Sequence, residues 1–174
     1  MKKSLIVALA AVLGWIAVPA QAQERSMTMS LSNYDREVSV TYSALRDVRH
    51  MGSGFLVDFG KGLKTTESLQ VSAVGEFAMN HFTAWTGETY KNLNGGVRLG
   101  TIASKARPFG QVMVGLQRDF GVNAFNFQPG GGINLRVGST TDIKVQLDFP
   151  IVRWLGDTYK QVRFSAGVGL PLGR

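Results

Sequence analysis

Catalysis would require a nucleophile beside a base, or a group of metal ligands, so the two histidines of the sequence are the first residues to consider. His50 lies in a predicted loop and His81 near the end of a predicted strand. A metal site needs several His, Asp or Glu side chains at close spacing, and the sequence contains no such group. A hydrolase needs a nucleophile beside a base. No serine of the sequence stands two positions from a histidine on one strand face. We predict no enzyme, no catalytic residue, no metal and no cofactor, and interpret His81 as a polar interfacial residue.

A glycine cluster at residues 130–132 raises the question of a phosphate-binding loop. It lacks the Gly-Lys-Ser/Thr ending of such loops, and a strand rather than a helix follows it. Pro129 directly precedes the cluster. Proline cannot donate to a sheet ladder and glycine permits bends, so the sequence predicts a bulge or sharp coil in a strand here.

Charged residues of both signs share one face of the predicted strands. Side chains of a strand point alternately to its two faces, and the opposite faces collect Val, Leu, Ile and Phe. The charged set suits a narrow lumen filled by paired charges, and Glu37 and Asp58 lie on the same face. The predicted lumen charge network is Glu76, Arg98, Arg136, Lys144, Asp148 and Arg163. Within it, Lys144 and Asp148 are expected to pair across strands with Glu76, Arg136 or Arg163.

Residues 142–151 show the strand pattern most clearly, because polar and apolar residues alternate over the whole segment. About ten residues is long for a soluble strand, but it matches the roughly 9–11 residues that a tilted strand needs to cross a bilayer. The same pattern predicts eight strands, at residues 37–44, 55–60, 69–81, 90–101, 109–117, 124–136, 142–151 and 160–170.

Residues 1–22 are predicted to form a cleaved signal peptide. Lys2 and Lys3 precede an apolar stretch, and Ala20-Gln21-Ala22 forms a small-residue cleavage site. Residues 23–174 then form one domain without cysteine. Its net charge is +5, from 17 basic and 12 acidic residues once the two lysines are removed from the whole chain's +7. The basic residues are scattered, so we predict no nucleic-acid binding.

The arrangement of the two faces favours a membrane barrel over a soluble one. A soluble barrel turns its apolar face inward, whereas a membrane barrel turns it toward lipid. Aromatic residues near the predicted strand ends are typical of interfacial girdles. These are Tyr42, Phe55, Phe59, Tyr90, Phe109, Phe125, Phe149, Trp154 and Tyr159. We predict an all-β fold, an eight-stranded antiparallel up-and-down transmembrane β-barrel.

Three segments resemble the small bacterial outer-membrane β-barrel domain, the porin-like family related to opacity surface antigens. They are Glu-Val-Ser-Val-Thr-Tyr-Ser-Ala-Leu-Arg at residues 37–46, Gln-Pro-Gly-Gly-Gly-Ile at 128–133 and Val-Arg-Phe-Ser-Ala-Gly-Val-Gly-Leu at 162–170. The resemblance implies a fold rather than a chemistry, localisation in the cell outer membrane, and insertion by the barrel-assembly machinery. Members of this group usually end on a strand with a terminal aromatic residue, which the insertion machinery reads, and the ending Leu-Pro-Leu-Gly-Arg of this chain departs from that pattern.

The expected role is therefore non-enzymatic, structural or in surface interaction, with a lumen too well filled for a large pore. The sequence does not identify a protein partner. Loops 45–54, 82–88, 118–123 and 152–158 would face outward if both termini are periplasmic. Arg46, Arg49 and Arg153 would then either contact lipopolysaccharide phosphates or form solvated surface charges. Two alternatives remain open, a soluble periplasmic barrel that binds a small apolar ligand and a lipid-modifying outer-membrane enzyme that depends on His81.

Overall fold

The computed structural model describes residues 35–47, 50–83, 87–102, 104–137 and 140–172. The predicted signal peptide and Arg49 lie outside these ranges. Among the described residues there is no helix with the length and apolar character needed to cross a membrane.

Ten strand segments form a single antiparallel sheet. They are β1 Arg36–Asp47, β2 His50–Thr65, β3 Leu69–Phe82, β4 Glu88–Thr101, β5 Ala106–Asp119, β6 Val122–Arg136, β7 Asp142–Asp148, β8 Ile151–Trp154, β9 Asp157–Lys160 and β10 Val162–Leu172. Neighbouring segments in the chain pair along β1 to β7, and β10 pairs with both β7 and β1, which closes the sheet into a barrel.

The last four segments are two barrel strands, each with one interruption. β7 and β8 pair with β6 in one continuous register, interrupted at Phe149 and Pro150. Phe149 N donates to Pro129 O at 2.9 Å, and Gln161 N donates to Pro150 O at 2.9 Å between β9 and β10. The ladder is interrupted where the two prolines lack an N–H. The barrel therefore has eight strands, and the predicted eight-stranded antiparallel up-and-down fold is confirmed.

The strands are staggered around the barrel. Paired residues followed once round the ring from Arg36 lead back to Arg46 of the same strand, ten residues further on. Stagger and strand tilt are linked in a closed barrel. Side chains distant in sequence consequently meet at the same height inside it.

The inward face is polar and the outward face is apolar. On β7, Asp142, Lys144 and Asp148 are fully buried, whereas Ile143 and Leu147 are 43% and 40% exposed. The same alternation occurs on every long strand. Exposed outward residues of the other strands include Val40, Phe59, Phe77, Leu93, Val97, Val112, Leu116, Phe125, Phe164 and Val168.

The strands extend further than their apolar pattern predicts, so several predicted loops are wrong in extent. Most of 45–54 belongs to β1 and β2, residues 61–65 belong to β2, and 106–108 belong to β5. Backbone pairing satisfies donors and acceptors whether or not the side chains outside are apolar, so hairpins continue beyond the apolar band. Two hairpins end in two-residue turns, each with positive φ at both positions: Phe120-Gly121 and Leu155-Gly156.

The bulge predicted at residues 129–132 is also wrong. β6 keeps a regular register through this stretch, and the register shift of the sheet lies instead between Gly62 and Lys64 of β2. Close approach of neighbouring groups, and not a bulge, explains the glycine at position 132. A Cβ on Gly132 would lie 2.1 Å from Val145 O and 2.9 Å from the ring of Phe109, so only glycine lets the strand and that ring approach so closely.

Candidate functional sites in the barrel interior and at its far end

Two ends of the barrel need names. The terminal end holds the start of β1 and the end of β10, and the far end is where β1 leads to β2, β3 to β4, β5 to β6 and β8 to β9. Buried charges lie in three groups between these ends. Among the described residues, no three His, Cys, Asp or Glu side chains are grouped so that they could hold a metal ion.

The first group lies near the terminal end around Asp142. Its carboxylate accepts hydrogen bonds from Arg107 of β5 and, at 3.2 Å, from Nε of Arg136 of β6. Arg107 lies outside the strands predicted from the sequence, because β5 begins at Ala106 and not at residue 109 as predicted. Extending the period of two toward the start of β5 would have found it.

The second group lies in the middle of the lumen around Asp58. Lys144 Nζ lies 2.5 Å and Arg98 Nη2 3.2 Å from this carboxylate, and Ser39 also donates to it. Glu37 lies 3.6 Å from Arg98 and 3.8 Å from Lys144. Two carboxylates and two cations thus meet from four strands.

The third group lies closer to the far end around Arg163. Its Nη2 donates to Glu76 at 2.6 Å across the lumen and to Asp148 at 2.9 Å on the neighbouring strand. Gln128 and Asn94 donate to Glu76 at 3.2 Å and 3.1 Å. All three charged side chains of this group are buried.

The three groups balance in charge within the described residues. Five carboxylates, of Glu37, Asp58, Glu76, Asp142 and Asp148, meet five cations, of Arg98, Arg107, Arg136, Lys144 and Arg163. All six residues predicted for the lumen face inward. Their partners differ in part from those expected.

The unexpected partners follow from the stagger of the strands. Asp148 meets Arg163 as the sequence suggested, whereas Lys144 meets Asp58 instead of Glu76, and Arg136 meets Asp142. The stagger determines which side chains from opposite strands lie at the same height in the lumen. The alternation along one strand does not reveal this stagger.

Two aromatic residues predicted for the interfacial girdles, Phe109 and Tyr90, are buried inside the barrel instead, and two more, Trp154 and Tyr159, line a cavity at its far end. The Phe109 ring is buried, with the Arg98 guanidinium carbon 4.6 Å and Lys144 Nζ 5.3 Å from its centroid. These distances allow cation–π attraction. Tyr90 is buried against Phe82 and Leu45, its ring centroid 4.5 Å from that of Phe82. Even-numbered positions of β4 and odd-numbered positions of β5 face the lumen, and this parity overrides position near a strand end.

A cavity of about 560 Å³ lies at the far end, beyond the layer formed by Leu45, Phe82 and Tyr90. Tyr90 separates the two regions and hydrogen-bonds to Asp119. The cavity is lined by Asp47, His50, Tyr90, Gln117, Asp119, Phe120, Val122, Ala124, Val152, Trp154, Tyr159 and Gln161. The sequence did not predict it, because its lining comes from the ends of many separate strands.

Basic residues occupy the outer surface at this same end. Arg46 and Arg153 are exposed and lie on the outward faces of β1 and β8, while Arg49 is outside the described residues. Lys91 of β4 and Arg118 of β5 are exposed cross-strand neighbours. We call Arg46, Lys91, Arg118, Arg153 and Lys160 the basic belt.

His81 has an outward neighbour that sequence spacing did not reveal. Ser53 lies opposite His81 across the β2–β3 pair, and both side chains are exposed. On the other side, His81 Nδ1 and Thr89 Oγ1 share a hydrogen bond at 3.1 Å. Thus the histidine is oriented by a hydroxyl, where a hydrolytic triad would have a carboxylate.

No protein-family model and no curated protein matches this sequence. Solved structures do match in shape. Neisserial surface protein A is 11% identical, with a TM-score of 0.54, covering 79% of this chain and 96% of its own. Ail of Yersinia pestis, in complex with the heparin analogue sucrose octasulfate, is 12% identical, with a TM-score of 0.52, covering 78% and 95%.

The N-terminal β-barrel domain of Pseudomonas aeruginosa OprF is 15% identical, with a TM-score of 0.50, covering 77% of this chain and 97% of that domain. These three neighbours are bacterial outer-membrane barrels, in agreement with the localisation predicted from the sequence. At the level of the fold, the resemblance of this chain to small bacterial outer-membrane β-barrels is confirmed.

Proposed function

We propose that this chain is a non-enzymatic β-barrel of the outer membrane, with a structural or surface-interaction role and a lumen closed by paired charges. The observation that carries the proposal is the orientation of the two faces, apolar outward and charged inward. Exposed apolar side chains all round a barrel need an apolar surrounding, and a closed barrel leaves no unpaired strand edge in that surrounding.

The same orientation argues against the soluble alternative. A periplasmic barrel that binds an apolar ligand would line its interior with apolar side chains. Here the middle of the interior is occupied by buried charges, including Asp58, Lys144 and Arg163. A chain with this arrangement would expose its apolar face to water if it were not in lipid.

Fractionation of cells tests the localisation. We expect the protein in the outer-membrane fraction, with migration on a denaturing gel that changes after heating because the folded barrel resists cold detergent. Release of the protein by osmotic shock would show that the barrel is periplasmic and overturn the proposal.

Closure of the lumen is supported by the three charge groups, since opposite charges that pair across an eight-stranded barrel occupy its cross-section. We expect planar bilayers containing the protein to show no conductance comparable to that of a general porin. A steady conductance of that size would refute closure of the lumen while leaving the membrane localisation intact.

We also propose that the basic belt contacts lipopolysaccharide phosphates. Lys91 and Arg118 present two adjacent cations at the edge of the apolar surface, a geometry that suits phosphate. Replacing both by Gln should weaken binding of purified lipopolysaccharide to the barrel in phospholipid nanodiscs.

A matched control for the belt exists at the other end of the barrel. Arg36 and Lys61 are also exposed, basic and paired across two strands, but they lie at the terminal end. Replacing these two by Gln should leave lipopolysaccharide binding unchanged, and an equal loss in both double variants would contradict a specific role of the belt.

A lipid-modifying enzyme is the second candidate, favoured only by the outward position of Ser53 opposite His81. Incubation of the folded protein with lipid A or phospholipid tests it by mass spectrometry. We expect no change of lipid mass. A change that disappears in His81→Ala would establish the enzymatic alternative.

A further inference from the structure

The far-end cavity has the size and access of a ligand site. Its volume of about 560 Å³ falls in the range of roughly 300–1,000 Å³ typical of small-molecule pockets. Phe120, Trp154 and Tyr159 line it and are 57%, 40% and 36% exposed, so a ligand can reach it from solvent. Val122, Ala124 and Val152 supply apolar wall.

Three buried polar atoms, on residues that line this cavity, have no hydrogen-bond partner in the described part of the chain. They are Oε1 of Gln117, Oδ1 of Asp119 and Oε1 of Gln161. Gln117 and Gln161 are only 2% and 3% exposed. A buried acceptor without a donor costs free energy, so groups of this kind mark a place where a donor is missing. All three atoms are acceptors, and hence the missing partner is a donor.

Acidic side chains dominate the charge of the cavity. Asp47 and Asp119 line it, and Glu88 lies close enough to interact electrostatically with Asp119. No Lys or Arg occurs among the described residues that line it, because the cations of this end belong to the basic belt outside. Among the described lining residues, His50 is the only other ionisable side chain besides the two tyrosines. A cation would therefore be favoured over an anion or a neutral molecule.

We propose that the far-end cavity binds a small amphipathic organic cation, a protonated amine or guanidinium attached to a flat apolar group. The N–H groups would donate to Asp119, Gln117 and Gln161, and the apolar group would pack against Trp154 and Tyr159. Aromatic faces also attract organic cations. This site lies outside the lumen charge groups, and its existence does not depend on the proposed structural role.

The experiment compares three related probes with the folded barrel in phospholipid nanodiscs, by titration calorimetry at neutral pH. 2-Phenylethylammonium carries charge and N–H donors, its trimethylated analogue carries charge alone, and 2-phenylethanol carries no charge. We expect 2-phenylethylammonium to bind at least about tenfold more tightly than either of the others. Equal affinity of all three, or absence of saturable binding by the ammonium probe, would overturn the proposal.

Variants locate the site. Asp119→Asn should weaken binding of 2-phenylethylammonium by about tenfold or more, and Gln161→Met by a smaller factor. Asp157→Asn is the matched control, because it removes the same charge at the same end from an exposed residue that does not line the cavity. If Asp157→Asn and Asp119→Asn reduce affinity equally, the effect is one of general surface charge and the proposed site is wrong.

Discussion

The charge group around Arg163 and the far-end cavity are both polar regions inside one barrel, yet they differ in how their groups are matched. Around Arg163, one guanidinium meets two carboxylates, and amides of Gln128 and Asn94 donate to Glu76. Around the cavity, the side-chain atoms of the described residues that lack a partner are all acceptors. Elsewhere in the interior such atoms include donors too, for example Nη1 of Arg163.

The difference separates a structural polar region from a binding one. Where donors and acceptors occur together, side chains or a bridging water can satisfy both, and the region holds strands together. Where only acceptors remain, the protein alone cannot complete the hydrogen bonds. Substitutions in the two regions should therefore have opposite kinds of consequence, on folding in the first and on ligand binding in the second.

The largest effect is expected from Arg163→Met. This change removes the cation between Glu76 and Asp148 and leaves two buried carboxylates facing each other. Loss of one partner from a buried ion pair costs about 3–5 kcal/mol. Urea unfolding in phospholipid vesicles should show this loss, and Arg36→Met, which breaks only an exposed pair with Asp35 at 3.9 Å, should leave the free energy of unfolding almost unchanged. If Arg163→Met lowers the free energy of unfolding no more than Arg36→Met does, the interior charges do not stabilise the barrel more than an exposed ion pair.

An intermediate effect is expected when one glutamine in each of the two regions is replaced by methionine. Gln128 donates to Glu76 and accepts from Asn94, so Gln128→Met should cost about 1–3 kcal/mol of unfolding free energy. Gln161→Met removes an acceptor that lacks a donor and should cost clearly less. The same urea titration compares both. An equal cost would remove the distinction between the two regions.

The smallest effect on stability is expected from Asp119→Asn. One of its carboxylate oxygens has no hydrogen-bond partner among the described residues, and Glu88 and Asp47 place further negative charge nearby. The amide oxygen of Asn can still accept a hydrogen bond from Tyr90, and the neutral side chain relieves repulsion, so the change in unfolding free energy should stay below about 1 kcal/mol. A loss as large as that of Arg163→Met would assign Asp119 to the structural class.

The sequence predicted the features that depend on local alternation along one strand, and missed those that depend on how the strands close into a barrel. Alternation along residues 142–151 identified the strand and its inward side chains, because the period of two is fixed by the backbone. The inward positions of Tyr90 and Phe109 were missed, since their place near strand ends was given more weight than their parity. The pairing of Lys144 with Asp58 depends on the stagger of the closed barrel, and the cavity depends on the ends of several strands, so neither is encoded in one segment.

The stagger of the strands also bears on how the barrel assembles. The contacts of Lys144 with Asp58 and of Arg163 with Glu76 join residues 86 and 87 positions apart, across strands that are not neighbours. An open sheet cannot form either contact, because each needs opposite walls brought face to face. These two contacts therefore form only when β1 pairs with β10. The pairs of Arg163 with Asp148 and of Arg136 with Asp142 join neighbouring strands and can form earlier, so closing the ring both takes the interior charges out of water and supplies the partners across the lumen.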